Sequence, residues 1–142
     1  MLKVNLQILT KNFVPKKSLF KKWVAAVLPK NKNAELTIRV VNYKESQVLN
    51  KKYRRKNRPT NILSFAVNDQ ATNYLGDLVI CAPLVKKEAR EQNKLLLHHY
   101  AHLTIHGALH LLGYGHHTKK QAEIMEKLEI KFLRKLKIDN PY

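Results

Sequence analysis

From Leu2 to Ile8, apolar and polar positions alternate, with Leu2, Val4, Leu6 and Ile8 on one side and Lys3, Asn5 and Gln7 on the other. A period of two predicts a strand over residues 2–9. After Pro15 the period changes: Leu19, Phe20, Trp23, Val24 and Val27 recur at helical spacing, and Lys16, Lys17, Lys21 and Lys22 take the opposite face. This predicts a basic amphipathic helix with Phe20 and Trp23 in the core. Glu35–Tyr43 reads as a second strand. Val48, Leu49 and Tyr53 predict a short helix that runs into the basic cluster Lys51, Lys52, Arg54, Arg55, Lys56 and Arg58, with Pro59 ending it. Ile62–Val67 and Asp77–Cys81 are two further strand-like runs, separated by the polar stretch NDQATNYLG.

Pro83 suits the first turn of a helix reaching about Asn93. Leu95–Leu112 is long, apolar and studded with histidine, and Gly113 stops it. Thr118 and Gln121 form a capping-box pattern that opens a last helix to about Lys137. The order β-α-β-α-β-β followed by helices shows no repeat, linker or composition break. It predicts one α+β domain, a mixed four-stranded sheet packed with about five helices.

The length of 142 residues allows one core and not two. With 44% hydrophobic residues, four glycines and five prolines, collagen-like, low-complexity and wholly disordered classes are excluded. Gly76, Gly107, Gly113 and Gly115 form neither a Walker loop nor a GxGxxG turn, which argues against NTPases and dinucleotide enzymes. Cys81 is the only cysteine, so an intramolecular disulfide and a Cys-rich zinc knuckle are both excluded, and it is expected to be an inert small hydrophobe. No apolar run approaches a membrane span and the start lacks a signal-peptide core, so a cytoplasmic protein is expected. The charge is the anomaly. Lysine and arginine exceed acids by a net +17, and eight lysines precede the first acid, Glu35. Such a balance points to a polyanionic partner.

All seven histidines lie between His98 and His117. Within that stretch, His106 and His110 stand four apart, so on a helix their imidazoles converge. Gly113 permits a turn that swings His116 back as a third ligand. Three neutral imidazoles leave a fourth tetrahedral position open, the arrangement of a catalytic zinc rather than a structural one. In the metalloprotease motif H-E-x-x-H a glutamate follows the first histidine, whereas here that position is Gly107. Ordinary zincin proteolysis is therefore disfavoured.

The run HGALHLLGYGHH resembles the H-G-x-L-H-L-x-G-Y-D-H signature of the YbeY family of rRNA maturation factors and zinc-dependent endoribonucleases. The resemblance extends over Leu49-Asn50 through Tyr53-Arg54, Asn57–Phe65, Gly76–Ile80, Ala101-His102 and Asn140-Pro141-Tyr142. It implies a zincin-like α+β domain, one zinc ion on His106, His110 and His116, and Arg54 as the arginine needed for cleavage. His99 and His102 also resemble family positions. Gly115 departs from the family, which usually has Asp just before the third ligand.

On this reading the chain cleaves single-stranded ribosomal RNA in maturation of the small-subunit RNA 3′ end and in ribosome quality control. Arg54 would stabilise the phosphorane, and His102 would shuttle a proton. The small ribosomal subunit, an Era-type GTPase and a small-subunit ribosomal protein are the partners that the resemblance implies. Two alternatives stay open: a non-catalytic RNA-binding assembly factor that zinc merely fastens, and a divergent zinc peptidase or amidohydrolase. Asp77 has two readings, as a residue that orients a ligand histidine or as a strand-initiating aspartate.

Overall fold

Four strands and five helices form in the predicted order. The computed structural model describes residues 1–142, with β1 (Leu2–Ile8), α1 (Lys17–Val27), β2 (Ala34–Val41), α2 (Tyr43–Arg54), β3 (Ile62–Asp69), β4 (Tyr74–Cys81), α3 (Ala82–Glu91), α4 (Leu96–Leu111) and α5 (Lys119–Lys135). The sheet order is β1-β2-β4-β3. β1, β2 and β4 run parallel, and β3 returns antiparallel to β4 as an edge strand. The architecture is thus the expected α+β domain with a mixed four-stranded sheet.

One sheet face carries Val4, Leu36, Ile38, Val40, Leu78 and Ile80 into the main core, where α1 and α4 cover it. Phe20 and Trp23 lie in this core, their rings edge to face at 5.5 Å, and Phe20 meets Tyr100 of α4 at 6.2 Å. The basic face of α1 stays in solvent. On the other sheet face, Leu63, Val79 and Val41 form a small second cluster with Leu49 of α2 and Phe65.

Several boundaries differ from the hydrophobic pattern; β3, for one, runs on to Asp69. α2 begins at Tyr43, with Asn42 extended at its N-cap, so Tyr43 leaves the strand expected to contain it. Only Ser46 and Asn50 of α2 are buried, and both are polar, so half the helix carries no apolar signal. It ends at Arg54 because Arg55 turns left-handed (φ 58°) with its N–H on Lys51 O, five residues before the last residue of the expected stop, Pro59. Tyr74, Leu75 and Gly76 belong to β4 rather than to the connecting loop. Gly76, at φ +146°, passes so close to β3 that a β-carbon would strike the Phe65 carbonyl oxygen.

Candidate metal centre

α4 runs through the core and is buried nearly all round. Between His99 and Leu111 the half-exposed residues are His102, His106 and His110, and His98 extends the same line. A four-residue spacing on a 3.6-residue helix stacks them into one polar stripe.

α4 ends in a Schellman turn: Gly113 N–H reaches His110 O and Tyr114 N–H reaches Leu109 O, both at 3.0 Å, with Gly113 at φ +101°. The turn does two things. It carries His116 back until its ring lies 4.8 Å from that of His110 and 5.6 Å from that of His106. It also places Tyr114 O 3.0 Å from His110 Nδ1, which assigns the proton to Nδ1 and leaves Nε2 with a lone pair. His106 Nδ1 lies 3.4 Å from Glu129 Oε2, which turns its Nε2 toward His110.

The two Nε2 atoms stand 3.1 Å apart. Two imidazole nitrogens that close share either a proton or a cation. Two imidazole nitrogens bound to a tetrahedral ion at about 2.0–2.1 Å stand about 3.3 Å apart, so the spacing suits one shared ion. One ligand atom from each of His106, His110 and His116 lies within 4.8 Å of the others, and the group could hold a metal ion. Burial and the neighbouring histidines push the His110 pKa down to about 4, and the same causes lower that of His116. Both rings are therefore neutral and ready to ligate at neutral pH.

Glu129 on α5 is absent from the sequence reading. It is 1% exposed. Its Oε1 accepts from His102 Nε2 at 2.7 Å and from the Tyr142 hydroxyl at 2.9 Å, while Oε2 faces His106. Burial alone would raise its pKa, but the hydrogen bonds from His102 and His106 prevail and hold it down to about 2. A buried carboxylate against the outer nitrogen of a ligand histidine orients the ring and raises its basicity. The sequence does hold a signal for it: Met125, Glu129 and Leu133 form the buried stripe of α5, and a glutamate at a core position needs a partner.

In front of the histidines opens a cleft of about 610 Å³, walled by β3 and lined by Tyr53, Arg54, Asn61 and Phe65. The loop after α2 is not a free basic loop. Ser46 Oγ donates to Thr60 O and accepts from Thr60 N, both at 2.9 Å; Asn50 Nδ2 donates to Arg58 O at 2.8 Å; Gln47 Nε2 donates to Asn57 Oδ1 at 3.0 Å. These bonds hold the segment after Arg54 against α2. Arg54 itself has no carboxylate partner, and the only lysine or arginine ion pairs in the protein are Arg39–Glu45 and Lys87–Glu91. Nearly all of the excess positive charge is thus unpaired.

Other expected residues lie elsewhere. His102 does not line the cleft; it stands behind Glu129, with its Nδ1 buried and without a partner. Asp77 points to the opposite sheet face, where it accepts from the Tyr74 hydroxyl, so it orients no ligand histidine. His99 joins Glu88 at 2.9 Å, and Glu88 also accepts from Asn61 Nδ2 at 3.1 Å, tying α3 and α4 to the start of β3. Cys81 is fully buried and its thiol pKa is raised by burial, as suits an inert residue. Gly115 is not left-handed, and a β-carbon there would meet only His117 and Gln121 at ordinary contact distance.

Known proteins share this arrangement of elements. The solution structure of TM1509 from Thermotoga maritima matches with a TM-score of 0.58 over 93% of this chain and 91% of its own, at 24% identity, which establishes the common fold. The Endoribonuclease YbeY of Nitrosomonas eutropha is 48% identical, covering 93% of this chain and 92% of its own length. That of Buchnera aphidicola is 49% identical over 98% and 94%. The family model described as Endoribonuclease YbeY matches residues 6–137. On a family model spanning nearly the whole chain and relatives about half identical over nearly their full length, the chain belongs to the YbeY endoribonuclease family.

Proposed function

We propose that the chain is a zinc-dependent endoribonuclease that cuts single-stranded ribosomal RNA, acting in maturation of the small-subunit RNA 3′ end and in ribosome quality control. The observation that carries this reading is the convergence of His106, His110 and His116, with two Nε2 atoms 3.1 Å apart, beside an unpaired Arg54 in a cleft that a phosphodiester backbone can enter. His106, His110 and His116 would hold the ion. When bound, zinc supplies Lewis acidity toward a phosphoryl oxygen and brings the pKa of water to about 7.

The remaining work falls to the chain. Arg54 places a fixed positive charge where the pentacoordinate phosphorane gathers negative charge, and the unpaired lysines hold the flanking strand. His102 holds Glu129, and through it His106, rather than shuttling a proton to the substrate. The partners in this reading are the small ribosomal subunit, an Era-type GTPase and a small-subunit ribosomal protein, with cytoplasmic location; no helix is long and apolar enough to cross a membrane. A peptidase of the H-E-x-x-H kind is disfavoured because Gly107 packs against Ile62 and Leu78, where a glutamate side chain has no room.

The test is metal analysis of the purified protein alongside cleavage of a labelled single-stranded RNA with and without chelator. One equivalent of zinc and chelator-sensitive cleavage are expected. Cleavage that survives full removal of metal rejects the reading, and zinc binding without any cleavage would favour an assembly factor that zinc fastens.

A further inference from the structure

Tyr142 lies far along the chain from the histidines and is 60% exposed, so packing in the core does not explain its place. A specific set of bonds holds it. Lys94 Nζ donates to Pro141 O at 3.0 Å, and Asn140 Oδ1 accepts from Tyr142 N at 2.9 Å. The Tyr142 ring stands edge-on to His102 with centroids 5.4 Å apart. Its hydroxyl donates to Glu129 Oε1 at 2.9 Å.

Glu129 has two oxygens with different duties. Oε1 takes both Tyr142 and His102, and this fixes the carboxylate plane so that Oε2 faces His106 Nδ1. Without the tyrosine hydroxyl, a single donor remains on Oε1 and the carboxylate is free to turn about its last torsion, which is broad for glutamate. His106 would then lose its fixed acceptor.

We propose that Asn140–Tyr142 is a positioning strap for the metal centre: the Tyr142 hydroxyl locks Glu129 toward His106 and thereby sets how tightly the three histidines hold their ion. Tyr142 does not line the cleft in front of the histidines; it lines a smaller pocket with His106, His116 and Glu129. It is a positioning residue acting through two others. The inference rests on the metal-binding reading of the histidine group, and not on the chain being a nuclease.

Tyr142→Phe keeps the ring and removes only the hydroxyl. Zinc dissociation constants from competition with a chelating dye, the visible spectrum of the cobalt-substituted protein and the melting temperature of the metal-free protein separate the cases. The strap predicts zinc binding weakened about 10-fold, as for other outer-shell partners, an altered cobalt spectrum and a metal-free melting temperature lowered by no more than about 5 °C, the cost of one hydrogen bond to a buried carboxylate. Lys94→Met, which frees the strap without touching the hydroxyl, should weaken zinc binding in the same direction. Zinc affinity within about twofold of the parent in both variants overturns the proposal, as does a fall confined to metal-free stability. If the parent binds zinc but cuts no RNA, the nuclease reading fails and the strap stands.

Discussion

Gly107 of α4 lies so close to β3 and β4 that a β-carbon there would stand 2.7 Å from Ile62 Cδ1 and 2.8 Å from Leu78 Cδ2. The helix that bears the histidines approaches the sheet because the residue between two ligand turns has no side chain. Gly107→Ala should therefore destabilise the protein by about 1–3 kcal/mol through overpacking, although alanine is favoured over glycine in a helix by about 1 kcal/mol. Urea denaturation of the metal-free protein measures this, and a stabilised variant would mean that Ile62 and Leu78 yield freely.

Arg54 faces the cleft from the end of α2 with the following loop fixed by Ser46, Gln47 and Asn50. Arg54→Ala should keep fold and zinc content while turnover falls by a factor corresponding to about 2–4 kcal/mol of transition-state stabilisation. Turnover at saturating RNA checks it. Unchanged turnover removes Arg54 from the chemistry.

Because the ion pairs involve only Arg39 and Lys87 among the lysines and arginines, RNA binding should depend steeply on salt. Each phosphate contact on a single strand contributes about 0.7 to the slope of log affinity against log salt. Five contacts would give a slope of about 3.5. A flat response, read by fluorescence anisotropy of a labelled oligonucleotide, would count against a phosphate-binding surface.

The turn before His116 does not require a glycine at 115, since its backbone is not left-handed and a β-carbon meets only ordinary contacts. Gly115→Asp should be accepted by the fold and should tighten zinc binding by restricting the turn and adding an outer-shell acceptor. Dye-competition titration of both proteins decides. Weaker zinc binding in the variant would show that the open turn is itself required.

Acid should unfold the metal-free protein through two groups of the same centre. Glu129, held down to about 2, stabilises the fold above the ordinary carboxylate range and loses that contribution as pH falls toward 2. His110, pushed down to about 4, stays neutral in the fold while the unfolded chain takes up its proton near 6.5, so stability also falls between about pH 6.5 and 4. Both signs agree. The urea midpoint should drop from pH 7.5 to 4.5 through His110 and drop further below 4.5 through Glu129; a midpoint that rises over the first range contradicts the His110 assignment, and one that is flat below 4.5 contradicts that of Glu129.

What the sequence by itself determined is what short-range geometry governs. His106 and His110 converge because a helix places every fourth residue on one line, and Gly113 marks the turn that returns His116. Phe20 and Trp23 read as core from their spacing, and Thr118 with Gln121 marks the start of α5, where both capping bonds form. Tertiary structure decided the rest, because it depends on which distant elements meet. Glu129 gains its role only when α5 packs on α4, and Tyr142 only when Lys94 draws the following strap across both. Asp77, adjacent in sequence to a glycine and plausible as a ligand partner, faces the other side of the sheet because strand residues alternate and Leu78 takes the core. α2 stayed half-hidden because its buried residues are polar. A periodicity of apolar positions reports burial against a core, and it is silent about carboxylates, hydroxyls and amides whose burial is stabilised by partners elsewhere in the chain.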